Sequence, residues 1–542
     1  MPSADASSSP DGLTDEARHG YRTTPEQTTK MPSGIPYIVG NEAAERFSFY
    51  GMKAILMVFM TQYLVMGTGA DGKPILGMNR AEANFYFHLF EASAYAFPLI
   101  GAFLADYLWG KYRTIIWLSL VYCLGHFALA LDETRLGLLV GLSLIAVGTG
   151  GIKPCVSAHV GDQFGQQNKH LLERVYGWFY FSINFGSMFS TLLVPAILAR
   201  KGVFKDWIPA EHSSAAYAFG LPGVLMGVAT LVFWLGRRKY AHIPAGGKAF
   251  LSDVTGPLGK FTLRRLAPLY FFILFFWTLY DQTGSSWVQQ LQRLNCHMFG
   301  YDFLPAQVQA VNPLLVMIYI PLFNFVLYPA INKVFLLTPL RKIGIGMSLT
   351  AAAFGISWYI ETLVAPTTPI VVAELQANGA AGDAAEIERL VVNGKVEDLA
   401  KSFPENKVFE GFEKREQYVT HVLSKHGPSA FWQVLAYIVI TAGEVMVSIT
   451  GLEYSYSQAP LKMKSFVMSL YLLTVSLGNV VTALINKVIA DDKGNMTIPY
   501  TRYYAIFTGL MIATTIVYVV CSRTFREQSY FQGDEPATQP DA

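Results

Sequence analysis

Charge is scarce in this sequence. Asp, Glu, Lys and Arg make up 15% of its 542 residues, against about 25% in an average soluble domain. So few charges cannot clothe several large soluble domains, and 52% of the chain is hydrophobic. A soluble enzyme and a disordered or nucleic-acid-coating protein are excluded on that ground. Charge of one sign is lacking too. Lys and Arg number 41 against 39 Asp and Glu, a net of +2, so no basic field invites a nucleic acid. Cysteine is sparse: Cys123, Cys155, Cys296 and Cys521 show no CxxC spacing and read as buried free thiols. No HExxH pair and no GxSxG elbow is present, so neither a metal site nor a hydrolase is indicated. The first 30 residues are polar and lack the apolar core of a signal peptide; they read as a disordered tail, as does the polar stretch from residue 524 to 542.

Long apolar runs are what the sequence has in abundance. A membrane core about 30 Å thick needs roughly 20 apolar residues per helix. Twelve such runs are legible, at about 36–66, 81–108, 113–131, 136–158, 172–200, 215–237, 266–290, 309–333, 340–364, 429–453, 464–489 and 502–523. Cationic residues crowd alternate loops, including Lys111, Arg113, Arg237, Arg238, Lys239, Arg264, Arg265, Arg341 and Lys342. The positive-inside rule then places both termini in the cytoplasm. The basic, Gly/Pro-bearing segment 238–265 divides the runs into two sixes, 31–237 and 266–523. An Ala/Glu-rich insertion at about 366–428 falls on the outer side and reads as a small solvated cap. This predicts an all-α membrane protein of two six-helix bundles, with substrate held near the midplane between them.

Several runs carry charges that lipid would not tolerate. One charge at a helix centre costs roughly 2.5–3.5 kcal/mol on insertion scales. In the first run, Glu42, Glu45, Arg46 and Lys53 share one helical face. They form either a structural ion-pair cluster or a site for protons and a charged substrate, since one Arg between two acids leaves a carboxylate proton-labile. In the second run His88, Glu91 and Tyr95 share a face; a satisfied core histidine is the bland alternative to a titratable switch. Lys153 lies beside Pro154 late in the fourth run, as half of an anion site with Arg46 or as a residue snorkelling to the interface. Asp281 in the seventh run needs a cation, from Lys53 or His88. Glu444 and Ser448 lie one turn apart in the tenth run, and Glu444 suits a substrate ammonium. Tyr50, Tyr180, Asn184, Trp277 and Asn312 lie nearby on other runs as weaker signals. The implied cavity is bipolar, cationic in the first half and anionic in the second. That pattern suits a zwitterion such as a short peptide better than a sugar or an inorganic ion.

These residues resemble the proton-dependent oligopeptide transporter family of the major facilitator superfamily. The marks are Glu42-Ala-Ala-Glu45-Arg46-Phe47, GTGGIKPCVSAHVGDQF around Lys153, FYFSINFG at Phe179–Gly186, WTLYDQ around Asp281, GEVMVSITGLEYSYSQAP at Gly443–Pro460, and GAFLADYLWGKYR at Gly101–Arg113. The resemblance implies proton-coupled import of di- and tripeptides by a monomer in the cytoplasmic membrane, with protons as coupling ion and no cofactor. It implies that Arg46, Tyr50 and Lys153 hold the peptide carboxylate and that Asn184, Asn312 and Glu444 hold its amino terminus. Tyr95, Tyr180, Trp277 and Ser448 would line side-chain pockets. Glu42 and Glu45 would couple protonation to binding. Asp281, with Lys53, His88 and Glu91, would serve the outer gate. Lys53 stands where many relatives have Arg, Phe49 where many have Tyr, and Tyr471 where Trp is common. The linker 238–265 is too short for the extra helix pair of many bacterial relatives. The rival cargo is another zwitterionic or anionic solute, such as nitrate or a modified amino compound; Glu444 would repel a pure anion.

Overall fold

The computed structural model describes residues 20–525 apart from 70–71, 166, 169–170, 246, 248–254, 394–395, 405–406, 408, 410–414, 459–463 and 492–495. Twelve long helices carry the fold. We label them α1 (Ile35–Gln62), α2 (Arg80–Phe103), α3 (Lys111–Leu131), α4 (Arg135–Gly161), α5 (Leu172–Leu198), α6 (Ser214–Leu235) and α7 (Pro257–Tyr280). The rest are α8 (Val311–Leu322), α9 (Pro339–Val364), α10 (Phe431–Glu444), α11 (Lys464–Val488) and α12 (Tyr500–Cys521). Among the described residues, eleven helices are long and apolar enough to cross a membrane. The exception is α1, which has the length but carries Glu42, Glu45, Arg46 and Lys53. The α7 helix begins nine residues before the predicted 266, inside the stretch read as linker.

Local chemistry sets the helix ends. Proline occupies the first turn of α1, α7 and α9, where its missing N–H is no loss. Gly110 links α2 to α3 at φ 76°, a left-handed conformation that a side chain resists. Helix α10 passes at Val445–Ile449 into a π-helical turn and continues as Thr450–Ser457. Such turns shift the register of every later side chain.

The buried apolar residues form two large clusters. One draws on residues from Ile35 to Tyr240, the other on residues from Leu266 to Tyr518. Glycine lets α2 and α4 meet closely: a Cβ on Gly101 would stand 2.4 Å from the Gly150 carbonyl oxygen. Between the clusters, α2 packs along α11 and α5 along α8. The insertion folds into short helices, Thr368–Ala377, Ala384–Asn393, Val396–Lys401 and Arg415–Lys425. These close on their own apolar core of Val371, Leu375, Ile387, Leu399, Val419 and Val422.

Residues 20–30, which composition reads as part of a disordered tail, are tied down. Tyr21 stacks on His242 at 4.3 Å, the His242 N–H donates to Arg22 O at 2.7 Å, and Asn168 donates to Lys30 O. Composition reads that stretch as polar and loose, but cannot see that the chain after α6 supplies its partners. Residues 1–19 and 526–542, the remainder of the two predicted tails, lie outside the described residues. The four cysteines are free, Cys123 and Cys155 buried and the other two half-buried.

Candidate functional site

Helix α1 is the spine of the site. Arg46 lies eleven residues beyond Ile35, about 17 Å along a helix about 42 Å long. Lys53 follows two turns later on the same face, about 10 Å further on. Each organises a cluster of buried carboxylates.

Around Arg46, Nε approaches Glu42 Oε1 at 2.6 Å and Glu45 Oε2 at 3.3 Å. Thr149 on α4 donates to Glu45 Oε1 at 3.0 Å. Glu42 and Glu45 are fully buried and Arg46 is 9% exposed, so the charges are turned inward rather than to lipid. Lys153 joins them, 8% exposed. Its ammonium sits 3.7 Å from the Phe49 ring centroid and 4.1 Å from that of Tyr95. Its Nζ has no hydrogen-bond acceptor among the described residues. A buried ammonium held only by ring faces is under-satisfied. Lys153 therefore does not snorkel, and α4 runs on as a helix through Pro154.

Around Lys53, Nζ lies 3.0 Å from Glu91 Oε2 on α2 and 3.6 Å from Asp281 Oδ1 just beyond α7. Lys53, not His88, is therefore the ion-pair partner of Asp281, and it also pairs with Glu91. His88 instead bridges two neutral groups, Asn479 Oδ1 at 2.6 Å and Ser285 Oγ at 2.8 Å. Asn479 Nδ2 donates to Asp281 Oδ2 at 2.6 Å, so its Oδ1 faces His88 and Nδ1 carries a proton. Nε2 then either accepts from Ser285 or, when protonated, donates to it. Ser285 and Asn479 were not singled out in the sequence. An amide inside an apolar helix is a weak signal alone, although Asn479 and Asn486 fall on one face of α11.

The second half contributes a carboxylate. Asn312 donates to Glu444 Oε2 at 2.7 Å and to Thr441 Oγ1 at 3.0 Å. The Tyr280 hydroxyl is the second side-chain neighbour of Glu444. Ser448 follows Glu444 by about one turn within the π-helical segment, and its carbonyl accepts from Tyr471 Oη at 3.1 Å. Tyr50, between Arg46 and Lys53 on α1, lies within electrostatic reach of Arg46, Lys53 and Glu444. Through Tyr50 the two α1 clusters and Glu444 form one network. Trp277 packs edge-on against Phe276 and Tyr280.

The two ends of the molecule differ. At the end bearing the insertion, the halves are joined by His88–Asn479, His88–Ser285, Asn84–Gln289 at 3.3 Å and Arg80–Gln292 at 3.1 Å, beside Lys53–Asp281. At the linker end a cavity of about 320 Å³ lies between them, lined by Tyr180 and Asn184 of α5, Met317 and Asn324 of the α8 segment, Lys342 and Glu453. The structure is thus sealed at one end and hollow at the other. Among the described residues no cluster of His, Cys, Asp and Glu could hold a metal.

Comparison with known proteins adds an independent line. A sequence model described as "POT family" matches residues 112–256, 260–385 and 408–500. "Peptide transporter family 1" from Drosophila melanogaster is 28% identical, over 94% of this chain and 90% of its own length. "Solute carrier family 15 member 2" from Homo sapiens is 28% identical, over 84% and 86%. Among solved structures, an auto-inhibited POT family peptide transporter aligns at TM-score 0.69 and 30% identity, covering 93% of this chain and 99% of that one. An in meso crystal structure of a POT family transporter aligns at TM-score 0.68 and 32% identity, covering 92% and 99%.

Proposed function

Because the chain belongs to the POT family, we propose that this integral membrane protein imports di- and tripeptides together with protons, by alternating access. The observation that carries the reading is the two-ended charge arrangement around Tyr50. Arg46 and the under-satisfied Lys153 form its cationic end, and Glu444 with Asn312 its anionic end. A peptide zwitterion pairs its carboxylate with Lys153 and Arg46 and its ammonium with Glu444. Its variable side chains fall among Tyr95, Tyr180, Trp277 and Ser448, with Asn184 on the cavity wall.

Charge arithmetic supports proton coupling. The network sets Arg46, Lys53 and Lys153 against Glu42, Glu45, Glu91, Asp281 and Glu444, two more carboxylates than cations. Buried carboxylates in excess bind protons, because like charges at close range cannot all ionise. A substrate carboxylate arriving at Arg46 competes with Glu42 and Glu45 for the guanidinium. Inward movement of one proton down 100 mV supplies about 2.3 kcal/mol before any pH gradient.

The sealed end carries the insertion, and basic loops crowd the opposite end. We therefore take the sealed end as outer and the hollow end as cytoplasmic, with both termini inside and the protein a monomer in the plasma membrane. Residues 31–237 and 266–523 move as the two halves about the linker. The conformation is inward-facing, with Lys53, Glu91, Asp281 and His88 at the outer gate.

Uptake into proteoliposomes tests this. Dialanine accumulates when the outside is acidic, and acid inside with neutral outside abolishes accumulation. Accumulation that ignores the direction of the proton gradient contradicts the coupling.

A further inference from the structure

The outer seal contains a second charged group that the transport reading does not use. Arg80, the first residue of α2, is only 3% exposed. Its Nη2 donates to Gln292 Oε1, but Nε and Nη1 find no acceptor among the described residues. The carboxylate nearest in sequence, Glu82, pairs outward with Arg135. Across the seam lies a second guanidinium, Arg293, which is bound to Glu361 at 2.6 Å and stacked over Tyr500 at 4.8 Å. Glu361 is already engaged further by Gln290 at 2.8 Å. Tyr500, Arg293 and Glu361 are all electrostatic neighbours of Arg80, and the Tyr500 hydroxyl is within hydrogen-bond reach of it. The region holds two guanidiniums against one carboxylate.

Among the charged groups there, the unmet hydrogen-bonding capacity is that of donors. Besides Arg80 Nε and Nη1, the buried donors Gln292 Nε2 and Arg293 Nε lack partners, while the neutral acceptors Asn84 Oδ1 and Gln290 Oε1 are also open. Nearby amides of Asn84, Gln289 and Asn486 are neutral and bonded to one another. A buried positive charge costs several kcal/mol unless something negative answers it. Water satisfies donors but leaves the charge. We propose that Arg80, Gln292 and Tyr500 close on a small monovalent anion of the chloride class where the two halves meet. Arg80 belongs to the first half, and Gln292 and Tyr500 belong to the second. The site is complete only when the outer end is sealed, so the anion stabilises that state by mass action. At a free concentration about ten times its dissociation constant, it favours the sealed state about tenfold.

The proposal rests on the seam and not on the peptide reading, and its test needs no substrate. Purified full-length protein in detergent is taken through a sodium chloride titration against sodium gluconate at constant total salt. The thermal midpoint should rise saturably with chloride, and spin labels at Ile75 and Phe299, exposed on opposite halves of the outer end, should report more sealed protein with the same half-saturation. Arg80→Gln should remove both responses. Equal midpoints in the two salts, or a response that survives in R80Q, overturns the proposal. If R80Q does not fold, bromide-soaked crystals of the unmodified protein decide. An anomalous peak within hydrogen-bond reach of the Arg80 guanidinium supports the site, and its absence there refutes it.

Discussion

Asp281→Asn should open the outer gate by an amount that the geometry bounds. Lys53 is shared by Glu91, on its own half, and Asp281, on the other. At an effective dielectric of about 20, the 3.6 Å approach of Lys53 to Asp281 corresponds to about 4.6 kcal/mol of attraction. The two carboxylates are at most about 6.6 Å apart, because both contact the same ammonium. Their repulsion is then at least about 2.5 kcal/mol. The net hold across the halves is at most about 2 kcal/mol, or roughly thirtyfold. A sealed-to-open ratio of about 100:1 would fall to about 3:1. Folding should be little affected, since Lys53 keeps Glu91. Lys53→Gln should do more, because two facing carboxylates then repel. Double electron–electron resonance between labels at Ile75 and Phe299 reads the populations. An unchanged distance distribution in D281N, or less opening in K53Q than in D281N, refutes the reasoning.

Other perturbations have distinct signatures. Glu45→Gln should retain dialanine counterflow while losing proton-driven accumulation, both measured in proteoliposomes. Gly101→Val should destabilise the first half by about 1–3 kcal/mol, because backbone and not a flexible side chain meets the new atoms; the thermal midpoint reports it. In the insertion, a hydrogen bond from His426, with Lys425 adding, holds the Glu374 carboxylate below its ordinary range. A depressed folded value contributes stability above the unfolded one and loses it as pH falls through the folded one. Amide exchange in Thr368–Ala377 and Arg415–Lys425 should therefore quicken in acid, and His426→Ala should flatten that dependence.

Much of this architecture was legible because a bilayer admits few structures. Apolar length alone located twelve helices, and an ionic group in such a helix must turn inward. Glu42, Glu45, Arg46, Lys53, Lys153, Asp281 and Glu444 announced themselves that way. Partner choice was not legible. Whether Asp281 takes Lys53 or His88 depends on how α2, α7 and α11 approach each other, which no single helix encodes. The neutral groups that bind His88 across the seam, Asn479 and Ser285, carry no insertion penalty large enough to stand out. The π turn at Val445–Ile449 has no signature in the apolar pattern of the tenth run. The anchoring of residues 20–30 depends on a contact spanning more than 200 positions.

In the proposed binding mode, opposite ends of one peptide meet opposite charges. The most direct measurement is the binding of dialanine, N-acetyl-dialanine and dialanine amide to the unmodified protein, Glu444→Gln and Lys153→Met by calorimetry. Acetylation should weaken binding at least tenfold in the unmodified protein and barely at all in E444Q. Amidation should weaken it similarly in the unmodified protein and barely at all in K153M. If both modifications cost the same in every variant, the two charged ends do not grip the peptide as described.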